Sequence, residues 1–163
     1  MVCLMKQTTF NPLRRFRWLL FIAVLLPIVS ALSGCSAAPA GPSSSQVGMA
    51  PMSDMPAEIQ KAPVSVSDAY RFAVANPDAL KNVPCYCGCG KVGHTSNYSC
   101  YVKEVKPNGD VVFDQHALGC GICVDIAQDV MKMTRAGKSP KDIRASIDQT
   151  YAQYGPSNMA PVQ

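Results

Sequence analysis

The segment of residues 84–90 constrains the fold more than any other part of the chain. Its sequence is PCYCGCG, so Cys85, Cys87 and Cys89 stand at alternate positions among proline and glycine. Proline and glycine interrupt regular secondary structure, and residues 84–98 contain four of them. This density of breakers predicts a loop that is wrapped around a bound group.

Three more cysteines and both histidines of the chain follow this segment. Cys100 comes first, Cys120 and Cys123 form a later Cys-x-x-Cys pair, and His94 and His116 stand between the thiols. We expect the later pair to open a helix, where the helix N-terminus favours thiolate over thiol. Thiolates and imidazoles together are ligands for a soft metal ion.

The sequence therefore predicts one soft-metal site. Its predicted ligands are Cys85, Cys87, Cys89, His94, Cys100, His116, Cys120 and Cys123. Cu(I) is the favoured ion, because it accepts few ligands and bridging thiolates, which suits crowded cysteines. Zn(II) is the second choice, since one tetrahedral zinc needs only four ligands. We predict a protein that sequesters or transfers Cu(I), with a metal-donor or metal-acceptor protein as its partner.

Two other hypotheses use the same thiols. Outside the cytoplasm, six cysteines can form three disulfides and give a stapled interaction domain without metal. We expect Cys85, Cys87 and Cys89 to point to opposite sides of an extended segment, which disfavours disulfides among them. The Cys120 and Cys123 pair suits a thiol–disulfide oxidoreductase, although no strand–helix–strand pattern precedes it. An enzyme is the less favoured outcome.

The first 34 residues are predicted to be a lipoprotein signal peptide. Four basic residues and no acidic residue lie before position 18, and residues 18–32 are almost wholly apolar. That run of about 15 residues is shorter than the roughly 20 that a spanning helix needs. The following Leu-Ser-Gly-Cys resembles the bacterial lipoprotein motif, which implies a lipid on Cys35. We therefore expect a cell-envelope protein anchored to the membrane on its extracytoplasmic side.

The charge distribution argues against nucleic acid as a partner. The formal net charge is +4, from 15 basic and 11 acidic residues, but four of the basic residues lie in the predicted signal peptide. The rest of the chain is neutral, without the clustered lysine and arginine of a nucleic-acid surface. We therefore predict no nucleic-acid binding.

Three segments follow the predicted signal peptide. Residues 35–62 are rich in alanine, proline and serine and are predicted to be a disordered tether, whose evenly spaced methionines we interpret as linker residues. Residues 63–156 form the predicted folded domain, and residues 157–163 are predicted to be a loose tail. A domain of this size gains stability from metal or disulfides.

The predicted fold class is mainly α with one short β-hairpin, in a small single domain whose Cys/His-rich loop is organised by metal. Apolar residues at helical spacing predict helices over residues 63–76, 122–136 and 140–154, the last with an inward stripe that ends at Tyr154. Two short strands are predicted on either side of residues 107–110, because Asn-Gly accepts the positive φ angles of a tight turn.

Five polar or aromatic side chains receive specific roles from their positions. Ser65 or Ser67 is expected to cap the first of these helices, and Ser139 is expected to cap the last. Tyr86 is expected to cover the metal site without binding the metal. Asp114, which could bind a hard ion, is expected to be solvated.

The cysteine and histidine pattern resembles a known family. PCYCGCG is followed by Gly-His at residues 93–94, Cys100, Phe-Asp-x-His at residues 113–116 and the Cys-x-x-Cys pair. This order is similar to that of the bacterial lipoproteins and exported proteins named for a PCYCGC motif, over about residues 63–155. The resemblance implies an exported location and one shared cysteine and histidine site formed by the eight residues above, but it implies no particular activity.

Overall fold

The computed structural model describes residues 47–161. The predicted signal peptide, Cys35 and the predicted tether up to residue 46 lie outside the described residues. The described part is mainly helical with one two-stranded antiparallel sheet, which confirms the predicted architecture, whereas organisation of the loop by metal stays a prediction. Its elements are α1 (Ala57–Gln60), α2 (Val64–Ala75), α3 (Pro77–Lys81), β1 (Val102–Val105), β2 (Val111–Phe113), α4 (Gly121–Arg135) and α5 (Pro140–Tyr151).

The two longest C-terminal elements, α4 and α5, pack against each other through a short link. The end of α4 is a Schellman motif: Gly137 N–H donates to Thr134 O over 2.9 Å and Lys138 N–H donates to Met133 O over 3.1 Å. Gly137 has a φ of 71°, which glycine adopts without strain. Ser139 then caps α5 by accepting from Asp142 N–H, as predicted. These signals fix where one helix stops and the next begins.

The inward face of α5 is shorter than predicted. Ile143, Ile147 and Tyr151 are buried, but Tyr154 is 56% exposed. Tyr154 lies beyond the end of α5, and its ring lies 6.0 Å from that of Tyr151. The apolar stripe therefore ends with the helix, and the predicted burial of Tyr154 is wrong.

Helix α2 packs against α4 and begins without a side-chain cap. It follows Pro63, and the Ser67 hydroxyl donates to Val64 O within the helix. The predicted serine cap is therefore wrong, because proline before the first turn sets the start of the helix. The buried face of α2 contains Tyr70 and Phe72.

Residues 47–62 are folded against α2, so the predicted tether is wrong for this part of the chain. Ala50 N–H donates to Arg71 O over 3.1 Å, and the Arg71 guanidinium donates back to Ala50 O over 2.7 Å. Met55 and Ile59 are 3% and 1% exposed and belong to the hydrophobic core. Burial of these two apolar side chains outweighs a linker-like composition.

Strands β1 and β2 form an antiparallel hairpin with Val105 opposite Val111. Lys106 O accepts from Gly109 N–H, and Lys106 N–H donates to Asp110 O, each over 2.9 Å. Gly109 has a φ of 91°, and no other residue type in the described chain has a positive φ. The connection is thus a three-residue turn that needs only glycine in the left-handed region, rather than a tight Asn-Gly turn.

The predicted loose tail is wrong over residues 157–161, which lie along the domain. Arg144 is 5% exposed, and its guanidinium donates to Ala160 O over 2.9 Å and to Met159 Sδ over 3.6 Å. A buried arginine that donates to main-chain carbonyls holds the tail in place. None of the helices in residues 47–161 combines the length and apolar character that crossing a membrane requires.

Candidate metal centre

The motif segment leaves α3 as extended chain and then turns sharply at two glycines. Gly88 and Gly93 have φ values of 84° and 90°, which side chains other than hydrogen rarely allow. A short 3₁₀ turn, Cys89–Val92, lies between them. Asn97 N–H donates to Val83 O over 2.9 Å and closes the loop at its base. The loop therefore folds back on itself and faces one centre.

The three cysteines of the motif face the same centre. Cys85 Sγ and Cys87 Sγ lie 3.3 Å apart, and the sulfurs of Cys85, Cys87 and Cys89 all lie within 4.8 Å of one another. The expectation that they point apart is wrong, because residues i and i+2 of an extended segment lie on the same face. Their proximity removes one of the arguments against disulfides.

Tyr86 lies between these cysteines in sequence and points away from them. Its hydroxyl donates to an Asp148 carboxylate oxygen on α5 over 2.6 Å, and Arg144 donates to both oxygens of that carboxylate. Burial, followed by this hydrogen bond, raises the pKa of Tyr86 to about 12. Tyr86 therefore attaches the motif to α5, and the prediction that it covers the metal site is wrong.

Cys123, in the first turn of α4, has three thiol sulfurs close to its own. Its Sγ lies 3.2 Å from Cys85 Sγ, 3.3 Å from Cys100 Sγ and 3.5 Å from Cys87 Sγ. Its carbonyl oxygen accepts from the Tyr101 hydroxyl over 2.6 Å. The start of α4 thus places the Cys123 sulfur against the thiols of the loop.

All eight predicted ligands form one continuous cluster of four overlapping sets. In each set the ligand atoms lie within 4.8 Å of one another, and each set could hold a metal ion. The sets are Cys87, His116, Cys120 and Cys123; Cys85, Cys87 and Cys89; Cys85, Cys100 and Cys123; and Cys89, His94 and Cys100. Five of the six sulfurs belong to two sets, whereas Cys120 and the two histidines belong to one set each. Binding of metal by these residues stays a prediction.

The two histidines are held by one carboxylate. His94 Nε2 lies 3.5 Å from an oxygen of Asp114, and the other oxygen accepts from His116 N–H over 2.8 Å. His94 Nδ1 is buried and has no hydrogen-bond partner. Metal-binding histidines commonly donate their second nitrogen to a carboxylate. An unpartnered Nδ1 therefore fits a ligand role for His94, and Asp114 orients the His94 ring and holds the backbone at His116 instead of being merely solvated.

Sequence reasoning missed Asn158, which lies in the tail. Cys85 N–H donates to Asn158 Oδ1 over 2.7 Å, and Asn158 N–H donates to Cys85 O over 3.3 Å. The Asn158 amide also donates to His94 O over 3.0 Å. No local pattern signals this role, because Asn158 is more than sixty residues from both partners.

The pKa values of the clustered thiols are shifted in different directions. Hydrogen bonds from Cys100 and Cys123 lower the pKa of Cys85, whereas burial raises the pKa of Cys87. Hydrogen bonds with Cys100 and Cys85, together with burial, raise the pKa of Cys123. These shifts in pKa favour the thiolate at Cys85 and the thiol at Cys87 and Cys123, which must lose their protons when they bind a cation.

The sulfur spacings suit metal coordination. Cys85 Sγ lies 3.3 Å from Cys87 Sγ and 3.2 Å from Cys123 Sγ, Cys123 Sγ lies 3.3–3.5 Å from those of Cys100 and Cys87, and Cys89 and Cys100 lie 3.8 Å apart. Two sulfurs bound at about 2.3 Å to one tetrahedral ion lie roughly 3.8 Å apart. All six are free thiols in this structure. The donor set of thiols and imidazoles fits a soft cation.

The predicted Cys-x-x-Cys pair is not an isolated dithiol. Cys120 is the residue before α4 and Cys123 lies in its first turn, as predicted. Both also belong to a set with Cys87 and His116, and Cys123 contacts the sulfurs of the motif. The geometry therefore joins the pair to the cluster.

Comparisons with known proteins agree with the resemblance in the sequence. No curated protein and no solved structure matches the chain. The family described as "protein of unknown function with PCYCGC motif" matches residues 24–162, which include all eight cysteine and histidine side chains of the cluster. The chain therefore belongs to the family of proteins of unknown function with a PCYCGC motif.

Proposed function

We propose that this protein binds several Cu(I) ions through its thiol cluster and sequesters or transfers them in the cell envelope. One observation carries the proposal: five sulfurs each belong to two neighbouring ligand sets. A sulfur between two sets can bridge two ions. The arrangement therefore suits a compact cluster of ions joined by thiolates better than one isolated ion.

The number of ligands in each set favours Cu(I) over Zn(II). Three of the four sets provide three ligands, which is enough for Cu(I) but one short of a tetrahedral zinc site. The set of Cys87, His116, Cys120 and Cys123 provides four. Zn(II) would therefore fill one set, whereas Cu(I) would use all of them.

The proposed location is the extracytoplasmic face of a membrane, with a lipid on Cys35. The support comes from the sequence, in which a basic segment, an apolar run and Leu-Ser-Gly-Cys stand in the order of a lipoprotein signal. Free thiols outside the cytoplasm tend to oxidise, and bound Cu(I) would protect them. A Cys35→Ala variant should move from the membrane fraction to the soluble fraction on cell fractionation.

Metal titration tests the proposal directly. The reduced full-length chain is loaded with Cu(I) without oxygen, desalted and analysed for copper. We expect more than one and at most four Cu(I) per chain, all removable by bathocuproine disulfonate. A Cys123→Ser variant, which loses a sulfur shared by two sets, should retain fewer ions than Cys120→Ser, which loses an unshared one. Failure of the reduced chain to retain copper would overturn the proposal.

Two measurements separate the alternatives. Mass spectrometry of the non-reduced protein as purified would show three intact disulfides and no metal if the domain is a stapled interaction module. Elemental analysis of the same sample would show one zinc and no copper if only the four-ligand set is used. Either result would replace the Cu(I) proposal.

A further inference from the structure

The cluster is not equally buried on all sides. Cys85, Cys100 and Cys123, which form one set, have no solvent exposure at all. In the four-ligand set, Cys87, His116 and Cys120 are each partly exposed, and only Cys123 is buried. An ion in the first set would be enclosed by protein, whereas an ion in the four-ligand set would lie at the surface.

Cys120 differs from the other five thiols in how it is held. Each of the other sulfurs has a hydrogen-bond partner, such as Cys85 for Cys87 or Asn158 for Cys89. Among residues 47–161, no hydrogen bond to the Cys120 sulfur is found, and this residue precedes α4 without capping it. Cys120 can therefore turn away from the cluster without breaking a hydrogen bond.

Glycines on both sides of Cys120 leave its approach open. A Cβ atom added at Gly119 or Gly121 would meet nothing within 4 Å. Gly119 has a φ of −115°, and Gly121 lies in α4, so neither backbone conformation requires glycine. A side chain at either position would therefore stand beside Cys120 without clashing with residues beyond its two chain neighbours.

We infer that the set of Cys87, His116, Cys120 and Cys123 is the exchange position, through which Cu(I) passes to an acceptor thiol. This inference rests on the proposed function. It assigns retention of metal to the buried set of Cys85, Cys100 and Cys123. The acceptor is a small thiol or a protein that presents thiols.

The exchange is a substitution of one sulfur by another. The acceptor thiol loses its proton as its sulfur bonds to Cu(I), and the Cys120 sulfur leaves and takes up a proton. Copper stays Cu(I), and no electron is transferred. Cys120 leaves first, because it bridges no second ion and no hydrogen bond holds it.

Release kinetics of the loaded full-length chain test the inference. The protein is mixed with excess glutathione without oxygen, and copper remaining on the chain is measured against time. We expect a fast phase of one Cu(I) per chain and a remainder at least ten times slower. Cys120→Ser should remove the fast phase, whereas Cys100→Ser should keep it and lose slowly released copper.

A variant that leaves every ligand in place provides a second test. Gly119→Val should slow the fast phase several-fold without changing the amount of copper bound, and Ala145→Val, exposed on α5, should change neither.

A folded protein with a surface Cys-x-x-Cys pair serves as a second acceptor. A fast phase with glutathione supports a small thiol as acceptor, and one seen only with the dithiol protein supports a protein acceptor.

The inference and the proposed function fail in different ways. If the chain retains no copper, the proposed function fails before any kinetics are measured. If copper is retained but leaves in one phase with both acceptors, the exchange position does not exist. A fast phase that keeps its amplitude in Cys120→Ser would also overturn the inference.

Discussion

The motif loop, residues 84–100, and the helical core, formed by α2, α4 and α5, are held together in different ways. The helical core buries apolar side chains at helical spacing, with a glycine cap at the end of α4 and a serine cap at the start of α5. The motif loop has two short 3₁₀ turns and is closed by single hydrogen bonds, such as Asn97 N–H to Val83 O. The loop contributes four of the six clustered sulfurs.

The two regions meet at Cys123. Its side chain lies on the buried face of α4 with Ile126, Ala127 and Val130, and its sulfur contacts the thiols of the loop. Hydrophobic burial thus positions Cys123 and the start of α4 without help from metal. The order of the motif loop on the other side of the site depends on what its thiols bind. We expect the helical core to fold alone and metal to stabilise mainly the loop.

Removing a core side chain should have the largest effect. Ile126 is fully buried in the helical core, so Ile126→Ala should cost about 2–5 kcal/mol of the free energy of unfolding. The loss should be similar with and without Cu(I), measured by urea unfolding followed by circular dichroism. Val105→Ala on the exposed side of β1 should cost under about 0.5 kcal/mol. A cost for Ile126→Ala that disappears on copper loading would show that metal, not burial, holds the core.

Copper loading should have the next largest effect on stability, and this effect should be confined to the motif loop. At a free Cu(I) concentration of about 100–1,000 times Kd, binding stabilises the bound form by about 2.7–4.1 kcal/mol. Hydrogen exchange of amides that open locally in the motif loop should slow by about 100–1,000-fold, while amides in the second half of α4 change much less. Equal slowing in both regions would mean that they open as one unit.

The elements of the helical core could be predicted from the sequence because their signals are local. The apolar spacing of α4 and Ser139 before Pro140 both act within a few residues. The boundaries that failed depend on distant contacts. Met55 and Ile59 are buried only because α2 and its neighbours cover them, and no pattern in a proline-rich stretch shows this.

The types of the candidate ligands could also be predicted, but their arrangement could not. Cysteine and histidine spacing indicated one site, whereas the sharing of sulfurs between sets depends on how α4 meets the loop. Asp114 stands two residues before His116, a spacing that could have signalled its role. Asn158 could not have been found, because its contacts to Cys85 and His94 span most of the domain.

Replacing the carboxylate behind the histidines should weaken copper binding without affecting the helical core. Asp114→Asn removes the charge beside His94 Nε2 and weakens the acceptor for His116 N–H, so Cu(I) affinity should fall about 10–100-fold. Competition with bathocuproine disulfonate measures the affinity. Asp125→Asn, exposed on α4, is the matched control and should leave affinity unchanged. An unchanged affinity in Asp114→Asn would place His94 outside the coordination sphere.

The smallest expected effects come from a matched pair of variants, one for each region. Asn158→Ala removes side-chain hydrogen bonds to Cys85 N–H and His94 O, which should cost about 1 kcal/mol of loop stability and speed local loop exchange about fivefold. Ser139→Ala removes the cap of α5 and should cost about 1 kcal/mol of global stability. Since each change acts on one region, hydrogen exchange at low denaturant should show Asn158→Ala in the loop alone and Ser139→Ala in the helical core. If Asn158→Ala instead lowers the global stability of the metal-free chain by the full amount, the loop is already ordered before metal arrives, and the tail, not the metal, holds it.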